Sequence, residues 1–69
     1  MIAEKIELVL VKRKMTKSQL AKALDCSPSN IYNKFKRDNF SEKEIAEIAE
    51  ILNCDFEANF VLKDTNEKF

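Results

Sequence analysis

Apolar positions along this chain follow a helical period for most of its length and then switch to alternation. Ile2, Ile6, Val9 and Leu10 fall at i, i+4, i+7 and i+8, one stripe on an otherwise charged segment. That spacing predicts a first helix, ending near Lys12 to Lys14, where cations suit the negative end of the dipole. Three further helix starts follow from one repeated device. At Met15-Thr16-Lys17-Ser18-Gln19-Leu20, Thr16 is placed to cap, Gln19 to bond back, and Met15 to staple against Leu20. Phe40, Ser41, Glu44 and Ile45 repeat it, and at Cys26-Ser27-Pro28 the serine caps, proline takes the first helical position and Cys26 staples to Ile31. Helices are therefore expected to start near residues 16, 27 and 41. In the last, Ile45, Ile48, Ala49 and Leu52 form the buried stripe, and Asn53 suits a left-handed terminator.

Beyond Asn53 the period becomes two. Phe56, Ala58, Phe60 and Leu62 alternate with Glu57, Asn59, Val61 and Lys63, which predicts a half-buried strand over about 55–63. No other segment alternates, and a lone strand leaves a row of backbone groups unmet. The same segment of a second copy, antiparallel about a two-fold axis, is the economical partner, with Phe56, Ala58, Phe60, Val61 and Leu62 at the interface. A short extended tail lying over the helices is the simpler alternative.

Composition narrows what such a chain does. Sixty-nine residues make a single domain that buries only about 60% of its unfolded surface, leaving little room for a catalytic cavity. The 45% hydrophobic and 35% charged content is that of a folded helical domain. Glu4, Lys5 and Glu7 interrupt any leader-like run, and no apolar stretch approaches the roughly 18 residues of a membrane span, so a cytoplasmic protein is expected. With no histidine and only Cys26 and Cys54, a tetrahedral zinc site cannot be assembled without carboxylates completing it, and a Cys–His nucleophile cannot be assembled at all; the two thiols read as small reduced apolar side chains. No metal, cofactor or small-molecule ligand is expected, and no catalytic residue. Glu42, Glu44, Glu47 and Glu50 read as capping and solubilising groups.

Net charge is zero but unevenly placed. Residues 1–39 carry nine basic against four acidic groups, a balance of +5, and residues 40–69 carry three against eight, a balance of −5. Such asymmetry points to a nucleic-acid face on the first half. That half also holds the predicted helices starting at 16 and 27, joined only by Leu24-Asp25-Cys26, with Ala21 small where they cross and Asp25 where a left-handed backbone is needed. Two helices joined by so tight a turn form a helix-turn-helix over residues 16–37.

Thr16-Lys17-Ser18-Gln19-Leu20-Ala21-Lys22-Ala23-Leu24-Asp25-Cys26-Ser27, with Ile31 and Phe35 after it, resembles the phage-repressor and Cro-like (lambda-repressor-like, XRE-type) helix-turn-helix family. The likeness covers about residues 2–53. Asp25 stands where the family usually has glycine, Lys17 where it often has glutamine, and Phe35 supplies an apolar position one residue late. The resemblance implies an all-α fold of four to five helices whose second motif helix enters the major groove, and the strand at 55–63 resembles the dimerising strand of Cro-type proteins. It places Ser29 and Asn33 at base edges, flanked by Ser27, Pro28 and Tyr32; Asn30 shares the outward face. Asparagine bonds adenine bidentately, and tyrosine meets a thymine methyl or a phosphate. Phosphate contacts are expected from Lys17, Ser18 and Ser27, and from Lys36, Arg37 and Asn39 after the reading helix, with Lys34 and Lys43 secondary.

The reading of the whole is a small sequence-specific binder of double-stranded DNA. It is expected to be a homodimeric repressor on a pseudo-palindromic operator, acting by occlusion because no sensing or recruiting domain accompanies it. The alternative is an antitoxin-like protein-interaction module with secondary DNA binding. An enzyme is the weakest reading, for want of histidine, phosphate loop or metal cluster.

Overall fold

The computed structural model describes residues 1–69 as four helices: α1 (Ile2–Arg13), α2 (Lys17–Ala23), α3 (Pro28–Arg37) and α4 (Glu42–Ile51). Their starts follow the local chemistry. Thr16 Oγ1 accepts from Gln19 N–H while Gln19 Oε1 accepts from Thr16 N–H, and Ser41 and Glu44 close the same reciprocal box. Ser27 Oγ accepts from Asn30 N–H, with Pro28 at the first helical position.

All four helices end in one and the same way. In each, a residue with positive φ follows the helix: Lys14 (56°), Asp25 (58°), Asp38 (53°) and Asn53 (55°). Its N–H bonds back three residues, to Val11, Lys22, Phe35 and Glu50 respectively. The next N–H reaches back five, from Met15 to Leu10, Cys26 to Ala21, Asn39 to Lys34 and Cys54 to Ala49. These are four Schellman turns in a chain with no glycine. Carrying a Cβ there costs roughly 1–2 kcal/mol per residue.

Two helix ends are completed from elsewhere in the chain. Met1 supplies no capping side chain to α1, and the α1 N–H of Ala3 donates to Asp38 Oδ1 at 2.8 Å. Arg13, at the end of α1, donates from Nε to Leu52 O (2.8 Å) and from Nη2 to Asn53 O (3.1 Å), meeting the two carbonyls that follow α4. The core beneath is nine side chains: Ala3, Ile6 and Leu10 of α1, Leu20 and Ala21 of α2, Ile31 and Phe35 of α3, Ile48 of α4 and Leu52 just beyond it. Leu20 and Ala21 are wholly inaccessible. Phe35 meets Phe40 edge to face at 5.1 Å and 79°. Cys26 and Cys54 are free thiols, half-buried at the edge of this core.

The carboxy-terminal strand is where expectation and structure part. There are four helices and no fifth, and residues 55–63 do not form a strand that waits for a second copy. Residues 55–59 belong to no regular element, and the chain then reverses through Asn66 (φ 63°). Phe60 and Phe69 exchange both backbone bonds (2.7 and 2.8 Å), Leu62 N–H donates to Glu67 O (2.9 Å), and Val61 bridges Lys68. The partner for the alternating segment is the return of the same chain, which removes the reason for requiring a second one. Nor do Ala58, Phe60, Val61 and Leu62 seal the helices, since every residue beyond Cys54 is exposed. Beside them, Ile2, Ile6, Val9, Ile45, Ala49 and Phe56 line an open apolar groove of about 140 Å³ between α1 and α4.

The shared termination predicts opposite outcomes at two of its sites. Lys14→Gly relieves Cβ crowding and loses no tertiary contact. It is expected to stabilise the fold by about 0.5–1 kcal/mol, net of the freedom glycine adds to the unfolded chain. Asp38→Gly relieves the same crowding but removes the cap of α1, and is expected to destabilise by about 1 kcal/mol. Urea midpoints of the two variants check this, and shifts of the same sign would refute it.

Candidate nucleic-acid interface

Tight coupling of α2 to α3 seats one face of α3 in the core and leaves the other open. Ile31 and Phe35 are buried, whereas Pro28, Ser29, Asn30, Tyr32, Asn33, Lys36 and Arg37 are exposed. The outward set is therefore short polar groups, one aromatic ring and two cations on a helix whose start is capped. The N-terminal end of such a helix presents free N–H groups and positive potential. Ser27 Oγ is engaged in that cap and lies 3.4 Å from Ser29 Oγ.

Asn30, Asn33, Lys34, Arg37 and Asn39 share one polar recess of about 150 Å³ with no apolar lining residue. The structure thus brings together two of the expected base-reading residues with three expected phosphate contacts. Ser18 is exposed on the first turn of α2, and Lys36 is exposed on α3.

Two expected phosphate contacts are engaged inside the molecule. The Lys34 ammonium forms an ion pair with Glu44. Lys17 lies 3.7 Å from Glu7 Oε2, 4.7 Å from the centroid of the Phe35 ring and 5.7 Å from that of Tyr32. Glu44 is doubly committed, accepting Ser41 N–H on one oxygen and Lys34 on the other. The Lys34 hydrogen bond first, and that Ser41 N–H second, hold its carboxyl below the usual carboxylate range. The recess beside α3 is in this way tied to the cap of α4.

Sequence reasoning missed Glu7 and Glu44 as partners of this surface, and Arg13 and Asp38 as ties between the helices beneath it. Glu44 carried a signal only as the third residue of its capping box. For Asp38 a usable sign was the absence of any capping residue before Ile2. Nothing local marked Glu7 or Arg13, whose partners lie on other helices.

The family model of the Cro/C1-type HTH DNA-binding domain matches residues 5–58 of the chain, well over half of it, ending short of the hairpin. Neither a curated protein nor a solved structure matches.

The pair between α3 and α4 has a pH signature. A carboxyl held below its unfolded value of about 4.3 contributes stability that is fully present above that pH. The contribution is lost as pH falls through the lower folded value. Lys34→Met is expected to cost up to about 1 kcal/mol near neutrality and to lose stability less steeply than the parent below about pH 4. Parallel urea curves from pH 7 to pH 3 read the difference; identical acid limbs would show that the pair contributes nothing.

Proposed function

Since the chain belongs to the Cro/C1-type helix-turn-helix DNA-binding domain family, we propose that it reads duplex DNA sequence-specifically through α3 and acts as a homodimeric repressor. The observation that carries this is the exposed polar face of α3 above a buried Ile31 and Phe35. A reading helix has to be rigidly seated and still offer donors and acceptors to base edges. Asn33 and Ser29 are the base readers, with Pro28, Asn30 and Tyr32 beside them. Lys36, Arg37, Asn39, Ser18 and the capped start at Ser27 hold phosphates, which sets register and salt dependence without choosing sequence. Lys34 contributes only as far as its pair with Glu44 opens.

Repression by occlusion needs no more than this surface. The two-fold partner is a second copy docked through the hairpin and the segment leading to it. Phe60 and Phe69 are 81% and 70% exposed, and Phe56, Val61 and Leu62 remain partly so. Apolar area of this kind is a hallmark of an interaction surface. A dimer places two α3 helices on one face of the duplex and calls for a pseudo-palindromic operator with half-sites about one helical turn apart.

Selection of binders from a random duplex pool at near-physiological salt tests the whole reading. The expected result is a two-fold symmetric site; weak binding that vanishes as salt rises would move the function to a protein partner of the antitoxin kind. On the enriched site, Asn33→Ala is expected to relax base preference by about 1–3 kcal/mol, while Lys36→Ala weakens every duplex alike. Equal effects of the two on specific and random DNA would refute the division of roles. Sedimentation at micromolar concentration is expected to give a dimer mass that Phe60→Ser lowers to monomer, and a monomeric parent would overturn the dimer.

A further inference from the structure

Lys17 stands at the first position of α2, where a cation is unfavourable for the helix dipole. Its side chain is nevertheless only 29% exposed. Three groups from two other helices surround it: Glu7 of α1, and Phe35 and Tyr32 of α3. Phe35 is core and meets Phe40 edge to face, so the ammonium rests on a buried, packed ring. Tyr32, three residues earlier on α3, is 51% exposed and has no hydrogen-bond partner within the protein. Of the contacts that restrain its ring, the one with a defined direction is the attraction of the same ammonium for its π face.

A phosphate recruiting Lys17 would have to draw it off both rings and off Glu7. With its charge balanced by that carboxylate, Lys17 also adds little to counterion release on binding DNA. Its geometry serves a different end. We propose that Lys17 is a positioning residue, held by Glu7 and Phe35, that fixes the Tyr32 ring on the reading face and so makes Tyr32 a determinant of base preference. This rests on the DNA-reading role of α3 proposed above. It separates Lys17 from Lys36 and Arg37, which meet the backbone of any sequence.

The test uses the full chain, in which Tyr32 is the single tyrosine and no tryptophan is present, so intrinsic fluorescence reports that ring alone. Lys17→Met keeps the aliphatic stem and removes the charge; Lys17→Arg keeps a cation able to stack. In the DNA-free protein, acrylamide quenching of Tyr32 is expected to rise in Lys17→Met and return to the parent value in Lys17→Arg. Circular dichroism confirms that both remain helical. On duplexes enriched by the parent, Lys17→Met is expected to lose discrimination by roughly 2- to 30-fold, at the base pairs where Tyr32→Ala loses it. The double variant loses no more than Tyr32→Ala alone, Lys17→Arg restores the preference, and the salt slope stays at the parent value. A slope lowered by about one, with uniform weakening on all duplexes and unchanged quenching, would make Lys17 a phosphate contact and overturn the proposal. Unchanged quenching with an intact enriched site overturns the positioning role alone. Raised quenching with no site enriched by the parent overturns the DNA reading and the readout role with it.

Discussion

The contact of α2 with α3 is the one on which the rest depends. Leu20 and Ala21 are fully inaccessible and Ile31 is 1% exposed, so the two helices meet through the driest part of the core. Ala21 lets the backbones approach, and the Schellman turn at Asp25 brings the chain round within the four residues between Ala23 and Pro28. Because the seam is dry and short, α3 has one orientation, and the residues on its far face inherit it. Enlarging Ala21 would shift every outward group of α3 at once.

Six of the charged side chains hold helices to one another. Asp38 caps α1, Arg13 closes α4, Glu44 takes Lys34, and Glu7 takes Lys17. A count of basic residues in the first half therefore overstates the charge free for a polyanion. What distinguishes Lys36 and Arg37 is that they are exposed on α3 and form no ion pair.

Helix starts and the buried stripe were legible because both are local. Thr16, Ser27 and Ser41 are strong caps at short range, and Ile31, Phe35, Ile48 and Leu52 lie at helical spacing. Asp25 and Asn53 were legible as left-handed residues because their side chains tolerate that region; Lys14 was not, since lysine carries no such preference. The outward face of α3 was readable for the same reason as its core face. The hairpin was misread because alternation over residues 56–63 reports a pleated chain and says nothing about its partner. The return through Asn66 to Phe69 is too short to show a period of its own. Which cations are free was not legible at all. It depends on where Glu7 and Glu44 come to lie in space, and spacing along the chain does not encode that.

The smallness of the core has a consequence for how long a folded copy lasts. Nine buried side chains support four short helices, and domains of this size keep only a few kcal/mol between the folded and open states. Proteases act on the open state, in proportion to its population when closing is fast. A duplex that binds only the folded chain withdraws it from that equilibrium by RT ln(1 + [DNA]/Kd), about 2.7 kcal/mol at a hundredfold excess over Kd. Turnover then falls on the copies that are off DNA. The occupancy of a DNA site and the lifetime of the protein become linked quantities, with no sensor needed to couple them.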